Sequence, residues 1–119
     1  MDIIKISDQI EKKIQELEVA KKHLQKRSEK KAVTNSDYDK ALALVMLRLR
    51  NKIITEFEGE QIGDLPATVL EKIAKGICYK ERLEQEKSDA EYKSLITYIS
   101  TVESQLNGWQ SIYRHLEER

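Results

Sequence analysis

Apolar residues recur at steps of three and four along the first half of the chain, through Ile3, Ile6, Ile10, Ile14 or Leu17, Lys21, Leu24, Ser28, Lys31 or Ala32, Asn35, Tyr38, Leu42, Val45, Leu49 and Ile53. That spacing puts side chains on one face of a helix, so a single long helix is expected over about 3–52. Residues 32–37 include Ser36 and Asp37, which are of the kind that cap a new helix. The stripe keeps its phase across them, with Ser28 and Asn35 falling where it requires, and this favours one continuous rod of about 70 Å.

A second stripe runs through Tyr92, Leu95, Ile99, Val102, Leu106, Trp109, Tyr113 and Leu116 with the a/d alternation of a coiled coil. Upstream of it, Leu70, Ile73, Ile77 and Leu83 mark a less regular segment that begins at Pro66, a favoured first-turn residue, with Gly76 as a point of bending. Helical segments are therefore expected over about 66–118. Asn107-Gly108 is a turn dipeptide in other settings, but the stripe continues through it.

The intervening tip, 53–65, holds Gly59 and Gly63 and precedes the only proline. Ile54, Phe57, Ile62 and Leu65 are spaced around Gly59, which suits either a small two-stranded ribbon or an irregular loop that packs its apolar residues onto the helix ends. A turn there makes the long helices antiparallel, and facing residues then have numbers that sum to roughly 120. Ile3, Ile6 and Ile10 fall opposite Leu116, Tyr113 and Trp109; Leu42, Val45 and Leu49 fall opposite Cys78, Ile77 and Ile73; the polar stretches 28–35 and 85–90 meet each other. The expected fold is all-α: one domain over 1–119, two long helices in an antiparallel coiled-coil hairpin with a short loop or β-ribbon tip, assembling into an oligomer.

Composition supports long helices over a compact globule. Charged residues make up 35% of the chain, the hydrophobic set 39%, and the mean hydropathy is −0.62, which suits helices that each bury one narrow stripe. The 21 basic and 21 acidic residues cancel, so no long-range field draws the molecule to nucleic acid or an anionic membrane. The single cysteine, Cys78, fits a reducing compartment. The opening residues lack the order of a signal peptide, and no apolar run approaches the roughly 20 residues of a membrane span, so the expected location is the cytoplasm, without membrane contact.

The most basic stretch is 21–31, in which Lys22, Lys26 and Lys30 share a helix face that phosphates could neutralise. The same pairing places Glu81, Glu84, Glu86, Asp89 and Glu91 nearby, where interhelix ion pairs would neutralise it instead. Arg48, Arg50 and Lys52 end the first helix, where the helix dipole favours cations, beside the acidic tip residues Glu56, Glu58, Glu60 and Asp64. Trp109, Tyr98 and Tyr113 are of the type that anchors interfaces, although Trp109 and Tyr113 hold core positions. Val19, Leu44, Leu47, Ile96 and Ile112 lie off the seam, and apolar residues left outside a two-helix seam point to dimerisation or partner docking. Phe57, Ile62, Leu65, Leu47 and Ile96 are the candidate partner-binding residues.

His23 and His115 have no cysteine at zinc spacing, the glycines form no phosphate-binding loop, and the carboxylates are spread along charged faces. No catalytic, metal or cofactor-binding residue is therefore assigned, no small-molecule substrate is expected, and the chain reads as a non-enzyme.

Three stretches, Asp2-Ile3-Ile4-Lys5-Ile6-Ser7, Pro66-Ala67-Thr68-Val69-Leu70-Glu71-Lys72-Ile73-Ala74-Lys75-Gly76-Ile77 and Glu103-Ser104-Gln105-Leu106-Asn107-Gly108-Trp109-Gln110-Ser111, resemble small helical proteins of phages and prophages of Gram-positive bacteria. The resemblance covers most of the chain and carries no catalytic residues. It implies a setting in which small early proteins accompany recombination or block host defence nucleases. The expectation is a homodimeric interaction protein of the bacterial cytoplasm that binds a host or phage protein complex. The alternative is a nucleic-acid-binding accessory factor for replication or recombination that uses Lys22, Lys26, Lys30, Arg48, Arg50 and Lys52. A third reading is a purely structural coiled-coil spacer.

Overall fold

A computed structural model describes residues 2–118 and is mostly helical. Its elements, in chain order, are α1 (Ile3–Arg50), β1 (Glu56–Phe57), β2 (Glu60–Gln61), α2 (Ala67–Ile77) and α3 (Tyr79–Glu117).

Asp2 caps α1: its Oδ1 accepts the Ile4 N–H at 2.9 Å and its carbonyl accepts that of Ile6 at 3.2 Å. The helix runs unbroken through 32–37. There the Thr34 hydroxyl donates to the Lys31 carbonyl at 3.1 Å, a bond made inside the helix, while Ser36 and Asp37 sit exposed on its surface without breaking it. The end comes at Arg50, slightly before the expected boundary, because Lys52 adopts φ 56. The Ile53 N–H then reaches the Arg48 carbonyl at 2.9 Å and the Lys52 N–H reaches that of Leu49 at 3.2 Å, the bonding pattern of a Schellman cap. Ile53, expected at the end of the stripe, lies beyond this cap and is exposed.

The chain divides into two compact units, one formed by Met1–Glu29 with Ala90–Arg119 and the other by Lys30–Asp89. In the first unit, Leu17, Ala20, Leu95, Ile99 and Val102 form the core, with Leu24 and Leu106 packed against it. Ser7 and Ile10 share a groove with Gln110 and Tyr113, whereas Arg27 reaches Glu91, so the two segments of this unit run antiparallel. Every residue of the α3 stripe from Tyr92 to Leu116 is buried or half-buried. On α1 the stripe departs from expectation at three places, the first being Ile3, which is exposed at the start of the helix. Lys21 and Ser28 are exposed, and Ala20 and Arg27 turn inward instead. Counting three, four, three from Leu17 gives Ala20, Leu24 and Arg27, which keeps the seam facing α3, and Arg27 meets its burial by donating from Nη1 to the Glu91 carbonyl at 3.0 Å.

The second unit is built on Val45, Leu49, Ala74 and Cys78, surrounded by Tyr38, Leu42, Met46, Ile73 and Ile77. Pro66 stands one place ahead of the first-turn position expected of it, as the N-cap of α2 with φ −58 and ψ 152. Its carbonyl accepts the N–H groups of Val69 at 3.0 Å and Leu70 at 3.1 Å. The interruption between α2 and α3 falls at Cys78, not at Gly76. The helical ladder nevertheless passes through it, from Cys78 N–H to the Ala74 carbonyl and from Arg82 N–H to the Cys78 carbonyl, each at 3.0 Å.

Polar atoms interrupt the packing of this second unit. Ser88 is 1% exposed, and its Oγ, together with Asn35 Oδ1 and Asp89 Oδ1, is buried with no hydrogen-bond partner among the described residues. An unpaired buried polar group costs about 1–3 kcal/mol of desolvation. Ser88→Ala is accordingly expected to stabilise the fold by about 1 kcal/mol, read as a rise in the urea midpoint at unchanged slope. A fall in the midpoint would mean that the hydroxyl contributes a bond that stabilises the fold.

Candidate functional site

The tip of the second unit is a ribbon held by the pairs Glu56 with Gln61 and Phe57 with Glu60. Its two-residue turn, Glu58-Gly59, has φ 51 and 81, the backbone of a type I′ turn, and Gly59 takes that conformation without steric penalty. The Ile62 N–H closes the ribbon on the Thr55 carbonyl at 2.8 Å. Ile54 and Ile62 pack against the core of this unit, and the Phe57 ring lies over Gly76 so closely that a Cβ there would stand 3.0 Å from Phe57 Cζ. Phe57 and Ile62, tip residues among the candidates for partner binding, are therefore half-buried against their own chain. Leu47 and Leu65 remain exposed, as do Leu44, Ile53 and Val69 of the same unit.

Arg48, Arg50 and Lys52 are exposed beside the carbonyl end of α1. Lys52 Nζ lies 3.3 Å from Asp64 Oδ1 in a solvated pair that contributes little to stability. Lys22 and Lys26 are exposed in the first unit and Lys30 in the second. The interhelix ion pairs expected around them are not what Glu84 and Glu86 form. Arg82 Nε binds Glu86 at 3.2 Å and Lys87 binds Glu84 at 3.9 Å, both along α3, where neighbours three and four residues apart lie within easy reach.

A groove of about 430 Å³ in the first unit was not foreseen from the sequence. Val19 and Tyr98 line it together with Ala20 and Leu95, and Lys12, Glu16, His23 and Arg27 border it on the α1 side. Ile96, the remaining docking candidate, is exposed in this unit, and Trp109 and Tyr113 are half-buried in the seam. The signal was present in the spacing: Ala20, four residues before Leu24, brings Val19 to the edge of the seam.

Cys78 is 2% exposed, and burial pushes its thiol pKa up, with the nearby Glu81 charge adding to the effect. Among the described residues no group of three or more His, Cys, Asp or Glu side chains is placed to hold a metal ion, and no helix is long and apolar enough to cross a membrane. Comparisons with family models, curated proteins and solved structures match nothing to this chain.

The Phe57–Gly76 contact makes a quantitative prediction. Gly76→Ala gains about 1 kcal/mol of helix propensity but must displace the ring. In a Phe57→Ala background the gain should appear in full, so a double-mutant cycle by chemical denaturation is expected to show about 1 kcal/mol of coupling. Strict additivity of the two changes would place the ring elsewhere.

Proposed function

We propose that this chain is a non-catalytic interaction protein of the phage and prophage type, an antiparallel coiled-coil hairpin that works in the bacterial cytoplasm by docking on a host or phage protein complex. The observation that carries the reading is the apolar surface of the ribbon unit. Leu47 is 55% exposed and Ile53 71%, and Leu44, Leu65 and Val69 accompany them on a unit that already has its own core. Exposed apolar patches on small units are a common mark of surfaces that dock on other proteins. Inhibition of a defence nuclease is the concrete version, and the resemblance to small phage proteins supplies that setting.

Exposed cations favour a second reading, an accessory factor that binds nucleic acid through Lys22, Lys26, Lys30, Arg48, Arg50 and Lys52. Net neutrality of the chain weighs against it.

Capture from host lysate separates the two. On the protein-docking reading, a partner is retained after nuclease treatment, Leu47→Asp with Leu65→Asp abolishes its recovery, and Lys26→Glu with Arg48→Glu leaves it unchanged. Recovery that disappears with nuclease, falls steeply with added salt and is lost in the charge-reversed variant would transfer the assignment to nucleic acid.

A further inference from the structure

Among the described residues of the first unit, only Ile6, Leu17, Ala20, Leu95, Ile99 and Val102 are buried hydrophobic ones, while Ile4, Ile14, Val19, Ile96, Tyr98 and Ile112 stay exposed. Two antiparallel segments cannot cover more, since each offers its partner one stripe. Val19, 55% exposed, and Tyr98, 46% exposed, come from opposite segments and line one groove whose other lining includes Ala20 and Leu95.

We infer that this groove is the dimer interface, and that its occupant is the same groove of a second copy, related by a twofold axis parallel to the helices. Such an axis sets the α1 side of each copy against the α3 side of the other at the same level, so Val19 meets the partner copy's Tyr98 and the contact occurs twice. Charge selects this arrangement over the other twofold solution. The α1 side carries Lys12 and Glu16 toward one end of the groove and His23 and Arg27 toward the other, whereas the α3 side contributes the uncharged Leu95 and Tyr98. An axis running across the helices would face α1 with α1 and bring Lys12 against Arg27 of the second copy; the parallel axis sets each of them opposite the α3 side of the second copy and keeps the two cations apart. The size also fits. The α1 part of this unit ends at Glu29, about 40 Å of helix, and two helices side by side are about 20 Å wide, so their common face offers roughly 800 Å² per copy, the area a stable dimer buries on each partner. Zero net charge adds no repulsion between copies. The interface lies in the first unit and is independent of docking by the ribbon unit.

The test uses the full chain with Cys78→Ser as background and two single-cysteine proteins, Val19→Cys and Tyr98→Cys. Light scattering of the unsubstituted protein should give a dimer mass. Val19→Glu and Tyr98→Glu, at exposed positions that leave helicity by circular dichroism unchanged, should each weaken dimerisation by about tenfold or more. On mild oxidation the mixture of the two cysteine proteins should form the mixed disulfide in preference to either symmetric one. A monomer at all accessible concentrations overturns the inference, as does a dimer insensitive to both substitutions or one that gives the symmetric Val19→Cys product alone. None of these outcomes bears on capture of a partner through Leu47 and Leu65.

Discussion

A helix can bury only the side chains that recur every three and four residues, and here each long helix has one such stripe to offer. Antiparallel packing of α1 segments against α3 segments is the way the chain satisfies that constraint, and the rest of the architecture follows from it. Fully burying a Leu, Ile or Val side chain stabilises by about 1.5–3 kcal/mol, and each unit holds only a handful of them. The cores are thin, so details at their edges matter: a hydroxyl at Ser88 without a partner among the described residues, a guanidinium at Arg27 that must find a carbonyl, and apolar residues left exposed beside the seam.

The ribbon compensates for one of these weaknesses. Where α1 ends, the left-handed turn at Lys52 redirects the chain, and the type I′ turn at Glu58-Gly59 folds it back so that Ile54, Phe57 and Ile62 cover the end of the core of the second unit. Gly76 allows this because it has no Cβ to obstruct the Phe57 ring. Among the described residues of the first unit no ribbon covers the seam in this way, and the groove lined by Val19 and Tyr98 is open to solvent.

Much of this was legible in the residue pattern. The α3 stripe is apolar or aromatic at each step from Tyr92 to Leu116, so its phase was unambiguous, and continuity of α1 through Asn35 followed from the same reasoning even though Ser36 and Asp37 mimic a cap. The slip to Lys21 and Ser28 arose because Ala20 is small and Arg27 charged, so neither announces itself as a seam residue. The cap at Lys52 was hidden because a lysine occupies the left-handed position where glycine is the usual signal. The spacing left open whether the tip is a ribbon or an irregular loop, because the inward direction of Phe57 and Ile62 is set by the turn geometry and by the space above Gly76, neither of which is encoded in hydrophobic spacing. The groove depends on which side of the seam Val19 and Tyr98 lie, so an error of one position in α1 was enough to conceal it.

The antiparallel seam within a single chain is the claim on which the account rests, and distance measurement between spin labels tests it most directly. With Cys78→Ser as background, labels at Lys22→Cys and Thr97→Cys should give a narrow distribution at about 20–35 Å, since neighbouring helix axes lie 8–10 Å apart and both labels point outward. The pair Lys22→Cys with Ser111→Cys should be longer, and both distances should survive dilution with excess unlabelled protein. A Lys22–Thr97 distance longer than the second pair's, or one that disappears on dilution, would contradict antiparallel packing within the chain.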